Sequence, residues 1–124
     1  MAQPIDVVRE FCALWEKGDI DAIVESFTDD AVYHNIPIAP VTGKEAIRAT
    51  IAGFTGGVDT IEFRVLNISA DGNVVMTERV DAFITPGHTI ELPVMGTFEV
   101  KGDKIAAWRD YFDMNQFMSQ MPQG

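Results

Sequence analysis

The order of the amphipathic patterns predicts an α+β domain, helices first and an antiparallel meander after them. Two observations carry this. Up to Phe54 the apolar residues recur mainly at the spacing of a helix face. From Thr60 onward they alternate with polar residues, in runs separated by Asp71-Gly72, Pro86-Gly87 and Lys101-Gly102-Asp103, residue types that turn a chain between strands.

Val7, Val8, Phe11, Leu14 and Trp15 mark a first helix that stops at Gly18. Cys12 falls inside it and reads as a small buried apolar residue rather than a reactive thiol. Asp19 caps a second helix with Ile20, Ile23, Val24 and Phe27 on one face, ended by Thr28-Asp29-Asp30. A short strand from Ala31 to Asn35 follows, with Tyr33 and Asn35 on one face and His34 on the other. The prolines of Ile36-Pro37-Ile38-Ala39-Pro40 make that stretch irregular or extended. Thr42-Gly43-Lys44-Glu45 matches a capping box opening a third helix with Ala46, Ile47, Thr50, Ile51 and Phe54, broken at Gly56-Gly57.

Four strand patterns follow: Thr60 to Ile68, Val74 to Ile84, Thr89 to Val100 and Ile105 to Phe112. In the third, Ile90, Leu92, Val94, Gly96 and Phe98 share a face, and Pro93 implies a bulge or a locally unpaired position. A tail with Phe117, Met118 and Met121 reads as a final half-helix. The last strand is apolar on both faces, Ala106, Trp108 and Phe112 on one and Ile105, Ala107 and Tyr111 on the other. One face packs on the helices; the other needs a second cover, and a symmetric copy is the economical one. A homodimer is therefore expected.

At 124 residues and 47% hydrophobic, the sequence is sized for one domain, 1–124, with a single core. A net charge of -10 disfavours nucleic acid and anionic membrane as partners, since both demand a basic patch. One cysteine excludes an intrachain disulfide and fits a reducing compartment. No apolar run approaches the ~20 residues of a membrane span, and no leader pattern opens the sequence, so a cytoplasmic protein is expected.

Among residues that carry chemistry, His34 and His88 are the only histidines, and neither belongs to a motif with metal-ligand spacing. No Gly-x-Ser-x-Gly elbow or glycine-rich nucleotide loop occurs. A polar set on strands remains: Tyr33, Asn35, Arg79, Asp81 and Asp110. Alternation puts Arg79 and Asp81 on one face with Thr77 and Phe83, and Asp110 with Trp108 and Phe112. Two carboxylates facing each other across one guanidinium would form a coupled acid–base unit. Taken alone, Arg79 with Asp81 reads as a structural ion pair, Tyr33 as a core aromatic and Asn35 as a turn former, while Asp110 is open between a solvated strand residue and a site acid. His34 is assigned to structure.

Three segments, Tyr33-His34-Asn35-Ile36-Pro37, Glu78-Arg79-Val80-Asp81 and Trp108-Arg109-Asp110-Tyr111-Phe112-Asp113, make the sequence resemble the limonene-1,2-epoxide hydrolase family over nearly its whole length. The resemblance implies a cone-shaped α+β fold, a strongly curved mixed sheet wrapped by helices, shared with ketosteroid isomerase and nuclear transport factor two. It also implies a cofactor-independent homodimer that adds water to an apolar epoxide. Carried over residue by residue, Asp110, Tyr33 and Asn35 would hold the water, Asp81 would be the acid, and Arg79 would bridge the two acids. Phe54, Val58, Phe83, Leu92, Val94 and Phe112 match substrate-lining positions of that family, while His34 stands where the family has glutamine. Rival readings are an isomerase or cyclase of the ketosteroid-isomerase or polyketide-cyclase kind, a silent ligand- or protein-binding domain of the same fold, and a structural dimerisation module.

Overall fold

Pro4 in the first turn and the Asp6 carboxylate, which accepts the Gln3 N–H at 3.3 Å, start helix α1 (Pro4–Lys17). Gly18, at φ 70°, ends it. Its expected face is the buried one, with Val7, Val8, Phe11, Cys12 and Trp15 turned into the core. This computed structural model describes residues 3–121. Asp19 caps helix α2 (Ile20–Glu25) by accepting the Ala22 N–H at 3.1 Å.

Strand β1 (Phe27–Asn35) starts earlier than the sequence pattern indicates. Phe27 and Thr28-Asp29-Asp30 belong to it rather than to the end of α2, because Phe27 pairs with Ile105 and buries its ring edge-on to Phe11, 5.4 Å between centroids. Strand β2 (Val41–Thr42) pairs with β1 and has no counterpart among the sequence expectations. It also overturns the capping box. Thr42 is held in the strand pair, Gly43 at φ 91° becomes the cap, and helix α3 (Lys44–Thr55) starts without a side-chain hydrogen bond.

Strands β3 (Thr60–Asp71), β4 (Val74–Thr85), β5 (His88–Lys101) and β6 (Lys104–Tyr111) form the expected meander, and helix α4 (Met114–Met118) closes the described chain. The sheet order is β2-β1-β6-β5-β4-β3. Its one parallel joint, β1 on β6, makes it mixed and brings the first strand against the last. Helix α1 packs on β3, β4, β5 and β6.

Register shifts interrupt the alternation. In β6, Val100 pairs with Ile105 but Glu99 with Ala107, leaving Ala106 as an extra residue. Ile105 is thereby turned inward with Trp108, both fully buried, instead of outward with Ala107 and Tyr111 as strict alternation requires. A second shift at Leu66 bends β3. No shift accompanies Pro93: its pairing with Val80 is in register, and β6 joins β5 only from Met95, so the proline lies where one edge of β5 is unpaired. Met76, Met95 and Tyr111 remain exposed on the outer face of the sheet, where Met95 and Tyr111 are cross-strand partners.

Candidate active site

Alternation along β4 turns Thr77, Arg79 and Asp81 to the inner face. The sheet pairing does the rest. Thr77 pairs with Gly96, Gly96 with Asp110, and Asp110 with Asn35, so one row crosses β4, β5, β6 and β1. Tyr33 lies beside Trp108 two residues back along the same joint, on the same face.

All five N–H groups of Arg79 are engaged. Nε donates to Asp81 Oδ1 and Nη2 to Asp81 Oδ2, both at 2.9 Å. Nη2 also donates to Asp110 Oδ2 at 2.9 Å, and Nη1 donates to Asp110 Oδ1 at 3.2 Å and to Thr77 Oγ1 at 3.0 Å. Both carboxylates therefore meet one guanidinium. Arg79 is 1% exposed and each aspartate 4%, which excludes a solvated surface pair. The guanidinium carbon also lies 4.6 Å from the ring centroid of Phe63, a cation–π contact.

The two acids differ in their surroundings. Asp110 accepts a third bond from Trp108 Nε1, at 2.6 Å, whereas Asp81 has no donor besides Arg79 among the described residues. Burial pushes the Asp81 carboxyl up to about 6; Arg79 opposes this and the charge of Asp110 adds to it. Burial works against the charge on Arg79, but Asp110 and Asp81 outweigh it and hold the guanidinium firmly protonated. Burial, with Asp110 nearby, raises the phenol of Tyr33, which stays an O–H donor. That hydroxyl donates to Asn35 Oδ1 at 3.3 Å, and the ring stacks on Trp108 at 4.3 Å.

The buried ends of this network face a cavity of about 150 Å³. Tyr33, Asn35, Asp81 and Asp110 supply its polar lining, and Phe54, Phe83, Leu92, Val94 and Phe112 line it too. Val58 does not. Helix α3 ends at Thr55, Gly57 at φ 81° turns the chain, and Val58 joins Trp15, Ile23 and Ile51 in a separate cleft. Ile38, Phe63, Met114 and Phe117 also line the cavity, a placement the sequence pattern does not indicate. Only the last two left a signal, a helix-spaced apolar pair behind the N-capping Asp113. His34 keeps a structural role, its Nε2 donating to the Ile38 carbonyl at 2.9 Å.

In the sequence Gly96 is only one member of an apolar face, yet it is the floor of the site. A Cβ there would collide with Arg79 Nη1 and lie 2.6 Å from Asp110 Oδ1 and 3.0 Å from Thr77 Oγ1. The glycine leaves the space in which the guanidinium and carboxylate meet. Among the described residues, no group of three His, Cys, Asp or Glu side chains is arranged to hold a metal ion.

A family model described as the limonene-1,2-epoxide hydrolase catalytic domain matches residues 2–123. Epoxide hydrolase EphG of Mycobacterium tuberculosis is 32% identical over 117 residues, 94% of this chain and 78% of that protein. The solved structure of an M. tuberculosis LEH-like epoxide hydrolase superposes with a TM-score of 0.82 at 32% identity, covering 94% of this chain and 87% of the other. A hypothetical protein with a ketosteroid isomerase-like fold from Catenulispora acidiphila matches with a TM-score of 0.82 at 20% identity, over 96% of this chain and 93% of its own. A putative SnoaL-like polyketide cyclase from Shewanella putrefaciens reaches 0.83 at 15%, over 97% and 96%. These last two share the fold, a cone-like α+β arrangement of mixed sheet and helices, and at such identity nothing more.

Proposed function

The chain belongs to the limonene-1,2-epoxide hydrolase family and is an epoxide hydrolase; from that premise we propose that it adds water in one step to an apolar cyclic or terpene-like epoxide, giving a vicinal diol. The observation that carries the chemistry is the pair of buried carboxylates bridged by one guanidinium at the wall of an apolar cavity. Opening an epoxide expels a poor alkoxide, so one acid must deliver a proton while a base takes one from the attacking water, each transfer being worth ~10²–10⁴-fold.

Asp81, lifted by burial and bonded to Arg79 alone, suits the acid. Asp110, with three donors on its oxygens, suits the charged base. Tyr33 and Asn35 line the same cavity as Asp110, from the strand joined to β6, and suit the holding of a water at that carboxylate. In the step, Asp110 takes a proton from water as its oxygen attacks a ring carbon. The C–O bond to the epoxide oxygen breaks, and Asp81 protonates that oxygen. Asp110 ends with the proton Asp81 has lost, and exchange with solvent or along the bridged pair resets them. No covalent ester forms and no cofactor enters.

The cavity supports the substrate class. A void of similar size lined by aliphatic and aromatic side chains binds benzene-sized molecules, which fits one substituted ring. The exposed Met76, Met95 and Tyr111 support a homodimer through the outer face of the sheet. Light scattering on the purified chain tests this, a monomer at assay concentration being the adverse result. The single free Cys12 fits a reducing cytoplasm.

A panel of cyclic epoxides assayed for diol in the presence of a chelator tests the activity, and absence of diol above the uncatalysed rate would reject it. Single turnover in ¹⁸O-labelled water tests the step. Label belongs in the diol alone, and label in Asp110 would mean a covalent intermediate. An isomerase of the related fold would instead shift a double bond in an enolisable ketone and leave the epoxides untouched.

A further inference from the structure

Strand β5 outruns β6. It pairs with β4 from His88 but with β6 only from Met95, so one edge of its first half has no strand beside it. Glu91 presents its backbone to that edge, and the side-chain amide of Gln120 occupies the place of a strand neighbour. The Glu91 N–H donates to Gln120 Oε1 at 3.0 Å, and Gln120 Nε2 donates to the Glu91 carbonyl at 2.9 Å. Pro93, two residues along and facing the same side, brings no N–H to the edge. His88 Nε2 adds a third tie by donating to the Gln120 carbonyl at 2.6 Å.

The segment held in this way carries a wall of the cavity. Helix α4 spans five residues and has no fully buried side chain, so neither its length nor its packing fixes it. One end is anchored by Asp113, whose carboxylate accepts the Asn115 and Gln116 N–H groups. At the other end stands the Gln120 amide, which also donates to the Gln116 carbonyl at 3.0 Å. Between these anchors Met114 and Phe117 face the cavity, Phe117 edge-on to Phe83 with centroids 5.8 Å apart.

We propose that Gln120 is a positioning residue for substrate selection: by clasping the open edge of β5 at Glu91 it fixes α4, so that Met114 and Phe117 limit the size of the epoxide that enters. The role rests on the epoxide reading above, and the clasp itself does not.

The test compares kcat/KM for a compact epoxide, 1,2-epoxycyclohexane, with that for a bulky ring-substituted one in four proteins: wild type, Gln120→Ala, Phe117→Ala and the double variant. Gln120→Ala is expected to shift the ratio about tenfold toward the bulky epoxide, the scale of a pocket misfit of a methylene or so. The pH profile should not move, since the carboxylate pair is untouched. The double variant should shift the ratio by less than the product of the two single effects, because both changes act through one wall. An unchanged ratio in Gln120→Ala, or independent effects in the double variant, overturns the proposal. Amide exchange gives a readout that needs no turnover. Glu91 N–H should be protected in the wild type and lose protection in Gln120→Ala and in Gln120→Glu, which keeps the acceptor but sets a charge against the Glu91 carbonyl. Equal exchange in wild type and variants overturns the clasp, whereas absence of diol from the wild type rejects the epoxide reading and with it the selection role.

Discussion

The indole Nε1 of Trp108 donates to Oδ1 of Asp110 at 2.6 Å, two residues along the same strand and in a site closed to solvent. A hydrogen bond to a charged group is worth about 1.5–3 kcal/mol, and this one fixes which lone pairs of the carboxylate remain for water. Trp108→Phe keeps an aromatic ring beside Tyr33 but removes the donor. Epoxide kcat/KM is expected to fall about 10- to 100-fold with the fold retained by circular dichroism. Wild-type kcat/KM in the variant would reduce Trp108 to a space filler.

Gly96 faces a sharper test. A methyl there meets Arg79 Nη1 and Asp110 Oδ1 at once, and neither can retreat without giving up hydrogen bonds, one being held by five and the other by three. Displacing the pair by about 1 Å costs on the order of 10²-fold in rate. Gly96→Ala is expected to show that loss in kcat, and a crystal structure of the variant should show the guanidinium moved. Full activity would mean that the carboxylate spacing is not what the reaction needs.

The pH profile follows from Asp81. As the acid it works protonated, and burial lifts it to about 6, so kcat/KM should fall tenfold per unit as pH rises above that value. Tyr33, raised out of range, contributes no limb. A profile flat from pH 5 to 8 would remove Asp81 as the proton donor.

Stability should reveal the same bridge. Arg79→Met leaves two carboxyls buried without their cation, a change worth about 3–5 kcal/mol near neutral pH. Arg79 is what lowers Asp81, so its loss raises that carboxyl further in the folded state. A native group with a raised pKa binds protons the unfolded chain does not, so stability is lost as pH rises through it. Urea midpoints should therefore separate variant and wild type more at pH 7.5 than at pH 5; a gap that widens on acidification would contradict the bridge.

Much of this was legible in the residues. The Arg79–Asp81 parity on β4 followed from simple alternation, and Tyr33 and Asn35 from the same rule on β1, because regular strands preserve the two-residue period. Alternation failed at Ile105, where the extra Ala106 reverses the face, since a bulge is a property of two paired strands and not of one. Thr42 failed as a cap for a related reason: pairing with Val32 claimed it first. Val58 was misplaced because only the turn at Gly57 decides which way the chain leaves α3. Gly96 carries no side chain to notice, and its importance lies in what neighbouring strands put above it.

The parallel joint between β1 and β6 has a consequence for the order of events in the cell. Asn35 is synthesised long before Asp110, yet they are partners across that joint. Such distant pairing is slow to form, since loop closure must precede any reward. A growing polypeptide tethered to the ribosome therefore cannot close this joint, or bring Asp110 to Arg79 and Asp81, until β6 has emerged.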